Sequence, residues 1–258
     1  MIFASDLDRT LIFSSKFIDG FDVDELVCVE YKDEKPISYM LKSAIKKLVA
    51  LESNRGIIFV PTTTRSVNQF KRIHVFENVE YAITSNGGTI LHNGEPLKEW
   101  EDKIQNEISE DVKLFDTIIE MVNLKNFVTE PCLEVDNKFL FFKTDDKDSC
   151  REWLNSMLDN NKWSFTIQGN KVYILPKCIT KENAIKFLSD KLGVSEIICS
   201  GDGKLDEGML KLADKCLIPS GSGIFKCSDI ESLNPIIVSE GLNATGEILD
   251  YILSFKKA

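Results

Sequence analysis

Apolar runs and amphipathic stretches alternate along the first third of the chain. Ile2 to Ala4 forms a short apolar run, Leu41, Ile45, Leu48 and Leu51 then recur near the helical period, and "GIIFV" follows as a second run. Gly56 stands where that helix should close. A further amphipathic stretch, "SVNQFKRIHVF", leads into a third run, "YAIT". From Cys178 onward the pattern resumes: a helix from Lys181 to Leu192 stopped by Gly193, a strand "EIICS", a helix "EGMLKLAD", a strand "CLIP" and a terminal helix around Ile248 to Phe255. This alternation predicts a parallel sheet covered by helices.

Between Thr89 and Lys177 the pattern changes. Hairpin-like strands ("TILHNGEP", "KFLFFKT", "WSFTIQGNKVYIL") surround two helices near Phe115 to Val122 and Ser149 to Leu158. The expected organisation is therefore an α/β core from residues 1–88 and 178–258 with an inserted α+β module at 89–177. A smaller hairpin, "ELVCVEYKDEKPISY", lies in the first part of the core. No internal repeat or low-complexity linker interrupts the chain.

Composition narrows the partners. The chain has 258 residues, 43% of them hydrophobic, and a formal charge of -10, so it can bury a core and should repel a phosphate polymer. The longest basic cluster is Lys256 and Lys257, a solubilising end rather than a nucleic-acid stripe. No run approaches membrane-spanning length, and the N-terminus carries no export pattern. Seven scattered cysteines with no C-x-x-C pair predict buried thiols in a reducing cytoplasm, and two isolated histidines, His74 and His92, offer no zinc spacing.

In an open parallel sheet, ligands bind beyond the carboxyl ends of the strands. Four such ends are polar here: Asp6, Asp8 and Thr10; Thr62 to Arg65; Ser85 and Asn86; Gly201, Asp202 and Asp206. Three acids with hydroxyl and amide neighbours suit a hard cation, Mg2+. Two carboxylates about 4 Å apart repel by ~4 kcal/mol at a dielectric of about 20, and a divalent ion beside one of them keeps it ionised while its neighbour holds a proton. One acid then attacks and the other donates. A calcium loop is excluded, because Leu11 and Phe17 stand where an EF-hand needs glycine and glutamate.

The motifs "DLDRT" (6–10), "TTR" (63–65), Lys181 and "GDGKLD" (201–206), with "SNGG" at 85–88, resemble the haloacid dehalogenase-like phosphohydrolases of the Cof-type and sucrose-phosphatase-like branch. The resemblance implies a Rossmann-like core with an inserted α+β cap, a nucleophile at Asp6 and an acid–base group at Asp8. It implies that Thr63 and Lys181 hold phosphoryl oxygens. Mg2+ would be ligated by Asp6, the Asp8 backbone carbonyl and Asp202, with Asp206 in support. Asn86 is a candidate phosphate contact, with a turn role before Gly87 and Gly88 as the alternative. Lys181 and Asp206 also have plain readings as first-turn helix residues, and Arg9 and Arg65 read as surface cations. Trp100, Trp153 and Trp163 read as cap core. Two positions depart from many relatives, Thr64 for glycine and Leu205 for asparagine. The expected activity is a Mg2+-dependent phosphatase for a small phosphorylated metabolite such as a sugar phosphate. The alternatives are a phosphomutase and a non-catalytic phosphate-ligand binder. Neither the cap residues that set specificity nor the oligomeric state follows from the sequence.

Overall fold

All four residues of β1, Ile2–Ser5, are buried, as a strand must be when helices cover both faces of its sheet. The computed structural model describes residues 1–54 and 56–255, so the Lys256–Lys257 cluster lies outside the described residues. After β1 come β2 (Phe13–Ser14), β3 (Leu26–Lys32), β4 (Lys35–Leu41), α1 (Lys42–Glu52), β5 (Ile58–Pro61), the one-turn α2 (Val67–Phe70) and β6 (Tyr81–Thr84). Next are β7 (Thr89–His92), β8 (Glu95–Pro96), α3 (Lys98–Val112), α4 (Phe115–Asn123), β9 (Val128–Val135), β10 (Phe139–Thr144), α5 (Lys147–Met157), β11 (Trp163–Gln168) and β12 (Lys171–Pro176). The chain ends with α6 (Lys181–Leu192), β13 (Ile197–Ser200), α7 (Glu207–Leu212), β14 (Lys215–Pro219), β15 (Ile236–Val238) and α8 (Leu242–Leu253).

The main sheet runs β15-β14-β13-β1-β5 and is parallel throughout, with Ile2 opposite Ile197 on one side and Ile58 on the other. This is the α/β parallel core that the alternation predicts, Rossmann-like as the resemblance implies. The "YAIT" run is the exception. β6 pairs antiparallel with β7 and reaches the main sheet only through a parallel bridge between Thr62 and Ile83.

Several local expectations shift. α1 ends at Glu52 with Ser53 as its cap, and Gly56 belongs to the following turn, where its N–H donates to the Asn54 side chain at 3.1 Å. "SVNQFKRIHVF" is not one helix but α2, capped by Ser66 and Gln69, followed by a short turn at His74–Phe76. The terminal helix begins at Leu242, and β2, β9, β15 and α3 have no counterpart in the elements that the sequence pattern predicts. α3 buries only Trp100, Ile104 and Ile108, a stripe too thin to stand out among its charges.

The division expected at residue 89 does not coincide with a change in packing. β7 completes a hairpin with β6, and Ile90, Trp100, Ile104 and Ile108 share one apolar cluster with Ile2, Val60 and Ile185. A separate cluster, with Phe115, Leu140, Phe142, Leu154, Trp163 and Ile174, forms only from α4 onward, beneath the antiparallel sheet β11-β12-β10-β9. Trp100 therefore packs with the α/β core rather than in the second cluster. All seven cysteines are free; Cys132, Cys150, Cys199 and Cys216 are buried, whereas Cys227 is exposed. Among the described residues, no helix is long and apolar enough to cross a membrane.

Candidate active site

The carboxyl ends of β1, β5, β6 and β13 are laced together by backbone hydrogen bonds. Asp6 N–H donates to the Ser200 carbonyl (2.8 Å), Thr62 N–H to Ser5 (2.7 Å) and Thr63 N–H to Ile83 (2.8 Å). The Ser85–Asn86 step then adopts left-handed backbone, with φ of 52° and 57°, at a cost of about 1–3 kcal/mol for each such residue. Ser85 N–H to the Arg65 carbonyl, Asn86 N–H to the Thr63 carbonyl and the Ser85 hydroxyl to Asp136 hold it there. At Gly87 (φ 96°) a Cβ would lie 2.1 Å from the Thr180 carbonyl oxygen, so this loop abuts the start of α6 as only glycine permits.

That contact places Lys181, the first residue of α6. Its ammonium, 1% exposed, donates to Asp6 Oδ1 and to Asp206 Oδ1, each at 2.6 Å. Burial alone would depress its pKa, but the adjoining Asp206 and Asp6 carboxylates overcome this and raise it. A buried cation between two carboxylates is not the plain first-turn lysine of a solvated helix. The other Asp6 oxygen, Oδ2, accepts from the Thr10 hydroxyl at 3.4 Å. Burial, then repulsion from Asp206 and Asp202, lifts the Asp6 pKa well above the carboxylate range against the pull of Lys181.

Asp202 is lifted to about 7, chiefly by burial and by Asp206, with Arg9 and Lys181 opposing. Arg9, in left-handed backbone at φ 65°, reaches Asp202 Oδ2 at 2.9 Å. Asp206 is engaged on both oxygens: Oδ1 takes Lys181, and Oδ2 accepts from the Asp202 and Gly203 N–H groups at 3.0 and 2.8 Å. Asp6, Asp202 and Asp206 each offer an oxygen within 4.8 Å of the others'.

Asp8 is held by a neighbouring cation. Arg65 grips both of its oxygens, Nε to Oδ2 and Nη2 to Oδ1 at 2.8 Å each. Desolvation works against ionisation here, but the hydrogen bonds and charge of Arg65 outweigh it and hold Asp8 below its ordinary value. Without a metal, burial and the neighbouring acids raise the Asp6 pKa while Arg65 lowers that of Asp8; the opposite order expected from the sequence belongs to the metal-bound site. Neither Arg65 nor Arg9 is a free surface cation, and local spacing carries no sign of either pairing.

A cleft of about 420 Å3 contains Asp6, Lys181, Asp202 and Asp206 on its floor and Asp8 on its wall. Thr63 does not line the cleft; it is 1% exposed, with its hydroxyl accepting from Arg65 N–H at 3.2 Å, while Thr64 and Leu205 face the cleft. Asn86 is not brought to the cleft. Its amide donates to the Ile179 carbonyl at 3.1 Å, and it lines a separate cavity beside α7. The roof is the β11–β12 turn, Gln168 to Lys171, with Tyr173 behind it. A second cavity of about 230 Å3, walled by Glu30, Arg65, Arg72, Phe139 and Phe141, shares Asp8, Thr64, Lys171 and Tyr173 with the first. The "QGNK" turn between two alternating strands was the only sequence sign of this roof.

The sequence pattern of the Sucrose-6F-phosphate phosphohydrolase family matches residues 1–219. The chain belongs to this family. It is accordingly a phosphoric monoester hydrolase of the haloacid dehalogenase-like superfamily. A candidate phosphatase of Buchnera aphidicola is 26% identical over 262 residues, covering 88% of this chain and 89% of that one. Among solved structures, the family member superposes on the sucrose-phosphatase of Synechocystis, determined with sucrose and phosphate, with a TM-score of 0.68 at 18% identity, covering 99% of this chain and 97% of that one. A phosphatase of the same superfamily from Bacteroides thetaiotaomicron gives 0.61 at 15% identity, covering 98% and 94%. At these identities the two structures speak for the fold, and the site rests on the geometry above.

Proposed function

We propose that the protein hydrolyses a small phosphorylated metabolite of the sugar-phosphate kind, with Mg2+, through a phosphoryl group carried transiently on Asp6. The observation that supports this reading most is the Lys181 ammonium fixed 2.6 Å from Asp6 Oδ1 at the bottom of a cleft with Asp8 on its wall. An Asp6 carboxylate oxygen bonds to phosphorus as the ester oxygen leaves, and that oxygen takes a proton from Asp8. Asp8 then removes a proton from water, whose oxygen attacks phosphorus and releases Asp6. The Arg65 pairing suits the second half, where Asp8 must be an anion. An arriving phosphate dianion favours protonation of Asp8 for the first half through like-charge repulsion. Lys181 and the Thr63 hydroxyl stabilise the phosphoryl oxygens.

The residues present fit a divalent cation. Three buried carboxylates share two cationic partners, Lys181 and Arg9, and all the donors are oxygens. Asp6, Asp202 and the Asp8 backbone carbonyl would hold the ion, with Asp206 fixing Lys181 and the Asp202 backbone. Mg2+ bound there would keep Asp6 ionised and draw charge from the phosphoryl oxygens.

We assign residues from α4 through β12 the role of a cap that closes on the leaving group, with its turn at Gln168–Lys171 reading it. A panel of phosphorylated metabolites tests the function. Turnover of sugar phosphates that disappears in Asp6→Asn and on chelation of Mg2+ supports it, and turnover that survives both removes it.

A further inference from the structure

Glu30 belongs to no motif and lies on β3, within a small sheet of order β2-β4-β3. It is nevertheless fully buried. The reason is local: pairing with β4 runs Cys28–Tyr39, Glu30–Ser38, Tyr31–Pro36, so the register slips by one residue before Glu30 and back after it. Val29 and Glu30 consequently turn inward in succession instead of alternating.

Inside, four donors saturate the carboxylate. Arg72 gives Nε and Nη2 to Oε1 at 3.2 and 2.9 Å, the Ser38 hydroxyl gives 2.7 Å to Oε2, and Arg65 Nη1 reaches Oε2 at 2.8 Å. The remaining Arg65 nitrogens hold Asp8, so one rigid fork joins two carboxylates. Glu30 touches neither the cleft floor nor the nucleophile. It walls the second cavity, and its link to Asp8 runs through Arg65.

We propose that Glu30 is a positioning residue, which holds the Arg65 guanidinium in the orientation that presents the Asp8 carboxyl to the ester oxygen. The proposal rests on the assignment of Asp8 as the acid–base group. A role confined to anchoring the β3–β4 hairpin would lower the amount of active enzyme and affect every substrate alike. A role through Asp8 scales with the need for a proton, because an acidic phenol departs unaided and a weakly acidic one does not.

The experiment compares kcat/KM for p-nitrophenyl phosphate and phenyl phosphate in wild type, Glu30→Gln and Ser38→Ala, with the same pair measured for Glu30→Gln in an Arg65→Gln background. Glu30→Gln is expected to lose about 3-fold on p-nitrophenyl phosphate and about 30-fold on phenyl phosphate, a part of the 100-fold or more that a general acid supplies. Ser38→Ala, a milder change should Glu30→Gln fold poorly, shows the same ordering on a smaller scale. With Arg65 already replaced, Glu30→Gln adds no further dependence on the leaving group. Equal proportional losses on both esters, no loss, or undiminished dependence in the Arg65→Gln background would overturn the proposal. A wild-type enzyme that cleaves neither these esters nor any member of the metabolite panel would instead remove the phosphatase reading itself.

Discussion

On the floor of the cleft, Asp6, Lys181, Asp202 and Asp206 are each at most 7% exposed and hold one another through bonds of 2.6–3.0 Å. On its roof, Lys171 is exposed, and Gln168 and Asn170 sit on a two-residue turn that Gly169 makes in left-handed backbone. Asp6, Asp202 and Asp206 follow the ends of β1 and β13 and Lys181 opens α6, so their positions follow from the core backbone. Roof side chains come from one hairpin of the antiparallel sheet, one face of which packs in its own apolar cluster while Phe139, Tyr173 and Leu175 on the other pack with the core. Such a division suits fixed chemistry below and exchangeable recognition above.

The largest test of that contrast is Lys181→Met. Loss of the buried cation should lower kcat by about 1,000-fold, as removal of a preorganised charge does. It also leaves Asp6 and Asp206 buried without their shared partner, at a cost of about 3–5 kcal/mol that thermal unfolding would register. Retention of more than a tenth of wild-type kcat would place the chemistry elsewhere.

Lys171→Ala tests the roof. Removing an exposed cation that faces both cavities should raise KM for the best substrate of the panel by about 10-fold and change kcat by less than about 2-fold. An equal fall in kcat and kcat/KM would assign Lys171 to the chemical step and erase the distinction between floor and roof.

A thermal shift with Mg2+ separates the two by pH. The Asp202 pKa near 7 lies above its ordinary 3.8, so the metal-free fold binds that proton more tightly than the unfolded chain does. Its contribution to stability is complete below the unfolded value and is lost as pH rises through about 7, and the upward shift of Asp6 works in the same direction. Metal-free protein should therefore unfold at lower temperature at about pH 8 than at about pH 6, and Mg2+ should restore more at the higher pH. Asp202→Asn should flatten both trends. No comparable pattern follows from Tyr173 on the roof, because burial has already pushed its hydroxyl up to about 12.

The same contrast explains what the sequence made legible. Asp6, Asp202 and Asp206 could be picked out because the ends of parallel strands converge by topology, whatever lies between them in the chain, whereas Lys181 was legible only through the family resemblance. Arg65 was misread as a surface cation because its partners, Asp8 and Glu30, are 57 and 35 positions away, and the register slip that turns Glu30 inward has no local signature. The roof stayed hidden for a similar reason: "QGNK" is an ordinary turn until the layer beneath it is folded over the cleft. The boundary placed at residue 89 followed the change from alternating helices to hairpins, but β7 pairs back onto β6 and keeps the stretch through α3 with the core.

Floor and roof meet at Gly203, where a Cβ would lie 2.5 Å from Gln168 Nε2. The obstructing atom is the free end of a flexible side chain, so Gly203→Ala should displace the roof rather than the floor. Gly203 N–H still donates to Asp206 Oδ2, and its backbone is in the extended region, which alanine tolerates. The expected result is a rise in KM of about 2- to 3-fold with kcat nearly unchanged, and recovery of KM in the double variant with Gln168→Ala, since two residues in contact are not additive. If Gly203→Ala lowered kcat and Gln168→Ala gave no recovery, the strain would have passed into the Asp202–Asp206 loop, and floor and roof would have to be treated as one mechanical unit.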